Sequence, residues 1–82
     1  MAMTFSPKIT CLKGWHQHRK YYYNGYPARG LWARVYRAGY SWIWQVCSTP
    51  WFCKDEEKAS GTASHCSTAM IKANIAAYTR ED

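Results

Sequence analysis

The sequence predicts an α+β fold: a small three-stranded antiparallel sheet with one C-terminal helix packed on one face, in the order β-β-β-α. Three observations carry this. Two segments of alternating side-chain character lie within 31–47, separated by Ala38-Gly39, which is the pattern of a hairpin. Further on, Ala59, Ala63, Cys66, Met70, Ala73 and Ala77 recur at steps of three and four, the period of a helix. Five Trp, seven Tyr and two Phe make the chain 17% aromatic, enough bulk to fill the thin core that 82 residues can enclose. That length fits a single domain over 1–82 and excludes a multidomain enzyme.

Residues 1–7 read as a flexible N-terminus and 8–47 as the sheet. Ile9, Thr10 and Cys11 offer a first short strand over 8–12. Tyr21, Tyr22 and Tyr23 are strand formers leading into Asn24-Gly25, the dipeptide best suited to a type I′ turn, where both central residues need positive φ. Pro27 lacks the N–H that a ladder requires, so the returning segment reads as an edge or a loop, with Gly30 a further break. Residues 31–37 then place Leu31, Ala33 and Val35 on one face and Trp32, Arg34 and Tyr36 on the other. Residues 40–47 return with Trp42, Trp44 and Val46 on one face, opposite Ser41, Ile43, Gln45 and Cys47. The span 48–60 reads as a loop carrying the acidic cluster Asp55-Glu56-Glu57, and 61–79 as the helix, with Ser60 or Thr62 as N-cap. Its alanine-rich stripe lets it sit close to a sheet whose tryptophans fill the gap, which puts Trp42 and Trp44 under Cys66, Met70 and Ala73.

The element order resembles the three-stranded DNA-binding domains of some integrases and the double-stranded-RNA-binding fold, in order alone and without a motif of either family. A short, aromatic chain with no catalytic signature also resembles the accessory proteins of phages and mobile elements.

Charge is unevenly spread. Residues 1–54 hold eight Lys or Arg and no acid, while 55–82 hold three bases against five acids. A one-signed region attracts polyanions: nucleic acid, an anionic membrane surface or an acidic protein face. The opening residues lack the basic patch and apolar stretch of a signal peptide, and no run approaches the roughly 20 apolar residues of a membrane span. The expectation is a soluble cytoplasmic protein (in the host cytoplasm if phage-encoded) with no membrane partner and reduced cysteines.

The candidate binding residues come from the interleaving of cations and rings: Trp15, Arg19, Lys20, Tyr22, Arg29, Trp32, Arg34, Tyr36 and Arg37. Lys and Arg neutralise phosphates, and rings stack on unpaired bases. Protein interfaces favour the same residue types. The plainer alternative has Trp32 and Tyr36 packing under loops, with Arg34 extending to the rim. Cys11, His16, His18, Cys47, Cys53, His65 and Cys66 are numerous enough for a zinc site but lack its paired spacing, so no metal or other cofactor is expected. His65 and Cys66 are adjacent and diverge on a helix, the glycines are scattered, and no constellation has the roles an active site needs. The sequence therefore points to a non-enzymatic binding module that engages nucleic acid or a nucleoprotein surface. The alternative is an inhibitor or adaptor that binds a host protein through the same Trp/Tyr/Arg patch, as anti-CRISPR proteins do.

Overall fold

The computed structural model describes residues 11–79. Five strands precede one helix: β1 (His16–His18), β2 (Tyr21–Tyr26), β3 (Leu31–Ala38), β4 (Ser41–Cys47), β5 (Glu57–Ala63) and α1 (Cys66–Thr79). Single 3-10 turns at Pro27–Arg29 and Lys54–Glu56 interrupt the connections. The sheet is antiparallel throughout, in the order β1-β2-β3-β4-β5, so each strand pairs with its neighbour in sequence.

This corrects the three-stranded expectation, and each difference has a local cause. The first hairpin turns at Arg19-Lys20, where Arg19 takes φ 59, and not at Asn24-Gly25. Those two residues continue β2, opposite Ala33 and Trp32, and carry the chain on to Tyr26, which is buried. A turn at Asn24-Gly25 would pull that ring out of the core. β5 lies where the loop and the start of the helix were expected. Ala59, Gly61 and Ala63 face the helix side, opposite Val46, Trp44 and Trp42. A step of four residues keeps side chains on one face in a strand as well as in a helix, so the Ala59–Ala63 spacing suits both. The helix begins at Cys66, with the Ala69 N–H donating to the His65 carbonyl at 3.0 Å, which makes His65 the capping position in place of Ser60 or Thr62. Of the expected strand over 8–12, Cys11 and Leu12 lie outside any strand, and 8–10, like 1–7, fall outside the described residues.

The hairpin of β3 and β4 forms with the expected faces. Leu31, Ala33, Val35 and Val46 are buried beneath Ala69, Met70, Ala73 and Ala77 of the helix. Trp42 and Trp44 pack into the same layer, beside Met70 and Cys66. Trp44 lies across from Gly61, and a Cβ at Gly61 would come within 2.8 Å of three indole atoms, so only glycine leaves room for the ring. One polar device sits in the core. Asn74, fully buried on α1, accepts a 2.5 Å hydrogen bond from the Tyr26 hydroxyl, and its Nδ2 donates to the Cys11 carbonyl at 3.3 Å. Tyr78 meets the Tyr26 ring edge-on at 5.1 Å. Burial holds the Tyr26 phenol well above the ordinary tyrosine range.

Candidate functional site: the open face of the sheet

The helix covers one face of the sheet and leaves the other open. Directly opposed residues share a face, so the register decides which side chains meet there. Trp32, Arg34 and Tyr36 of β3 stand beside Gly25, Tyr23 and Tyr21 of β2 and beside Cys47, Gln45 and Ile43 of β4. His16 and His18 of β1 extend the rows beyond Tyr23 and Tyr21.

Arg34 lies in the middle. Its guanidinium carbon is 5.2 Å from the centre of the Tyr21 ring, 5.4 Å from Tyr36 and 4.7 Å from Phe52, all within cation–π range. Its Nε and Nη2 both donate to Gln45 Oε1, at 3.0 and 2.7 Å, and Gln45 Nε2 donates to Glu57 Oε1 at 3.1 Å. The charge is thus tied laterally across three strands and enclosed by rings. Tyr21 contacts Tyr36 at 5.3 Å and Tyr23 at 6.0 Å, and Tyr23 contacts Phe52 at 5.9 Å. Phe52 comes from the β4–β5 connection, where it adopts φ 54, a left-handed conformation that costs a bulky residue about 1–2 kcal/mol. The connection is clamped by Ser48, whose N–H donates to the Glu56 carbonyl at 3.0 Å and whose hydroxyl donates to the Glu56 carboxylate at 2.7 Å.

The other candidate residues separate into three groups. Trp15 and Tyr22 belong to the helix side: Trp15 packs on both core clusters, and Tyr22 meets Trp42 edge-on at 6.2 Å. Arg19 and Lys20 are exposed in the β1–β2 turn, and Arg37 is exposed near the β3–β4 turn, its Nε donating to the Gly39 carbonyl at 3.1 Å. The antiparallel register brings these two turns to the same end of the sheet, since His18 opposes Tyr21, Tyr21 opposes Tyr36 and Ala38 opposes Ser41. Arg29 is at the opposite end, in the turn after β2. Asp55, Glu56 and Glu57, the acids among the described residues, are also at that opposite end, where Glu57 pairs with Cys47. One end of the sheet is therefore cationic, and the other holds the acids.

Sequence reasoning missed Tyr21, Tyr23, Phe52, Gln45, Glu57 and Gly25. A Tyr-x-Tyr run running past Asn24-Gly25 as one strand would have placed the two tyrosines on this face. Phe52 had no signal, because its position depends on the fold of a connection. Gly25 leaves a gap in the rows of rings, and a groove of about 300 Å³ opens there between His16, Tyr23, Trp32, Pro50 and Phe52.

Among the described residues no three His, Cys, Asp or Glu come together in a way that could hold a metal ion. The four thiols are free, and burial raises those of Cys47 and Cys66, with Glu57 adding to the effect at Cys47, so both favour the neutral form. No helix among the described residues is long and apolar enough to cross a membrane. No protein-family model matches the chain, and no curated protein or solved structure is significantly similar to it.

Proposed function

We propose that the protein is a non-enzymatic module that binds single-stranded nucleic acid along the open face of its sheet. The rings of Tyr21, Tyr23, Trp32 and Tyr36 take the bases, and Arg19, Lys20 and Arg37 take the phosphates. The observation that supports this best is the continuity of an aromatic surface with a cationic end from which the acids are held away. Rings accept the flat face of any unpaired base, whereas a duplex keeps its bases stacked on one another. Trp15 and Tyr22, packed against the core, have no part in this reading, and Arg34 organises the platform in place of meeting phosphate. The module acts in the cytoplasm, that of a host if a phage or mobile element carries it.

Anisotropy titrations with single- and double-stranded DNA and RNA at low and moderate salt test the proposal. Single strands should bind more tightly than duplexes of the same length. An absence of binding by micromolar protein at low salt would overturn it.

One observation favours the second reading, an inhibitor or adaptor for a host protein. Arg34 is the cation at the centre of the face, and its charge is engaged by Gln45 and three rings. Such a Trp/Tyr/Arg patch, with its guanidinium already held by hydrogen bonds and rings, has the make-up of a protein hot spot. A pull-down from host lysate with and without nuclease separates the two: a partner retained after nuclease belongs to the second.

A further inference from the structure

Resting on the single-strand reading, we infer that the groove at Gly25 is a slot for one unpaired nucleobase and sets where on the sheet a bound strand begins. The slot exists because one side chain is missing from an otherwise filled surface. Gly25 points its absent side chain to the open face, between Tyr23 on its own strand and Trp32 across from it. Phe52 and Pro50 border the space from the β4–β5 connection, and His16 borders it from β1. Its volume of about 300 Å³ is at the small end of the range for ligand sites, suited to a single ring system and not to an extended ligand.

The lining favours a heterocycle over an aliphatic group. Flat rings on more than one side offer π faces, which stack on any base. The pyrrole edge of Trp32 lies nearest Gly25: a Cβ there would be 3.6 Å from the indole Cδ1 and 3.7 Å from Nε1. The indole N–H therefore borders the slot, and every base carries acceptors on its edges.

Charge complements this occupant. From Gly25 to Tyr21 is four residues of β2, about 13 Å, or the length of about four stacked nucleotides. A strand with one base in the slot that runs over Tyr23 and Tyr21 brings its phosphates to Arg19, Lys20 and Arg37. A strand running the other way meets Asp55, Glu56 and Glu57 interspersed with Arg29, Lys54 and Lys58, so it finds no acid-free cationic cluster there. The slot and the charge asymmetry together assign one direction of travel away from the inserted base.

The test uses Gly25→Val. Gly25 lies within β2 and is not among the glycines with positive φ, so a β-branched residue suits its backbone. An added Cβ makes ordinary contacts with Trp32, while the two methyl groups fill the slot. The probes are an oligodeoxyadenylate of about ten nucleotides, within the usual single-strand site size, and an abasic strand of the same length. Gly25→Val should bind the adenylate about tenfold more weakly than the wild type, as the loss of one stacked base predicts. Its salt dependence should be unchanged, and the two proteins should bind the abasic strand alike. In the wild type, the indole N–H resonance of Trp32 should shift on addition of the adenylate and stay in place with the abasic strand. This second measurement decides the matter even if the variant folds poorly. An undiminished Gly25→Val or a stationary Trp32 resonance would overturn the slot and leave base stacking on Tyr21, Tyr23 and Tyr36 intact, whereas wild-type binding of both strands with equal affinity would overturn the slot and the stacking reading together. A wild type that binds neither strand at low salt would overturn both.

Discussion

Trp44 shows how tightly a small molecule can depend on one contact. Its ring belongs to both core clusters, and it has room only because position 61 has no side chain. Gly61→Ala should overpack this site and cost about 1–3 kcal/mol, while Trp44→Ala should cost about 3–5 kcal/mol by opening a cavity. Urea denaturation measures both, and an unchanged midpoint for Gly61→Ala would mean that the ring has another place to go. Arg34 presents the contrasting case of a charge used internally. Arg34→Ala should lower stability by about 1–3 kcal/mol, because Gln45 Oε1 loses both of its guanidinium donors on a half-covered face. It should leave the salt dependence of nucleic-acid binding unaltered. Arg37→Ala should do the reverse, with stability nearly unchanged and the salt slope flattened by about 0.7. Equal flattening by both substitutions would show that the Arg34 guanidinium reaches phosphate.

At the scale of elements, the helix is seated by a buried polar contact as well as by its alanines. Tyr26 of β2 donates to Asn74 of α1, and Asn74 is fully buried. The phenol is held above its ordinary range by burial, so the folded chain resists its ionisation more than the unfolded chain does. Below pH about 10 the group is neutral in both states and its contribution is complete. As pH rises further, the unfolded chain releases its proton first and stability falls. Tyr26→Phe should be less stable at neutral pH by about 1–3 kcal/mol, since it removes the hydroxyl that donates to Asn74 Oδ1 in the core. It should also show a shallower alkaline loss, to which the raised thiols of Cys47 and Cys66 still contribute. Urea melts across the alkaline range compare the two proteins, and equally steep losses would place the alkaline sensitivity elsewhere.

The same elements explain what could be read from the chain. The β3–β4 hairpin and the helix were legible because each has a long stretch of one period and a glycine or a change of pattern at its boundary. β1 was not, since His16-Gln17-His18 has no apolar residue and forms only by pairing with β2. β5 was hidden because its inward residues are Ala59, Gly61 and Ala63, whose bulk is supplied by Trp42 and Trp44 across the ladder. On the open face, Trp32, Arg34 and Tyr36 were legible from alternation. The partners that define Arg34's role come from other strands and from a connection, where register and not spacing decides proximity.

For the molecule as a whole, the arrangement of charge matters more than its total. The net charge is +6, yet the cations are divided between two ends, and those placed with the tyrosines are Arg19, Lys20 and Arg37. Three phosphate contacts to a single strand should give a fall of log K with log salt of slope about −2. A slope near about −3.5 would mean that Arg29 and Arg34 also meet phosphate and that the strand crosses the whole face. The order of the strands has a separate consequence, for how the chain reaches this shape. Each strand pairs with the one before it, so the sheet closes between neighbours in sequence, and the helix returns over β3 and β4 to make the longest-range contacts. Loop-closure entropy within the sheet is met in small instalments, while docking the helix is the long-range step, and a mixed α/β domain of this size should fold on the millisecond scale without a stable intermediate. Stopped-flow Trp fluorescence should therefore show a single exponential with a V-shaped denaturant dependence, and a substitution in the β3–β4 hairpin should slow folding more than one in β1.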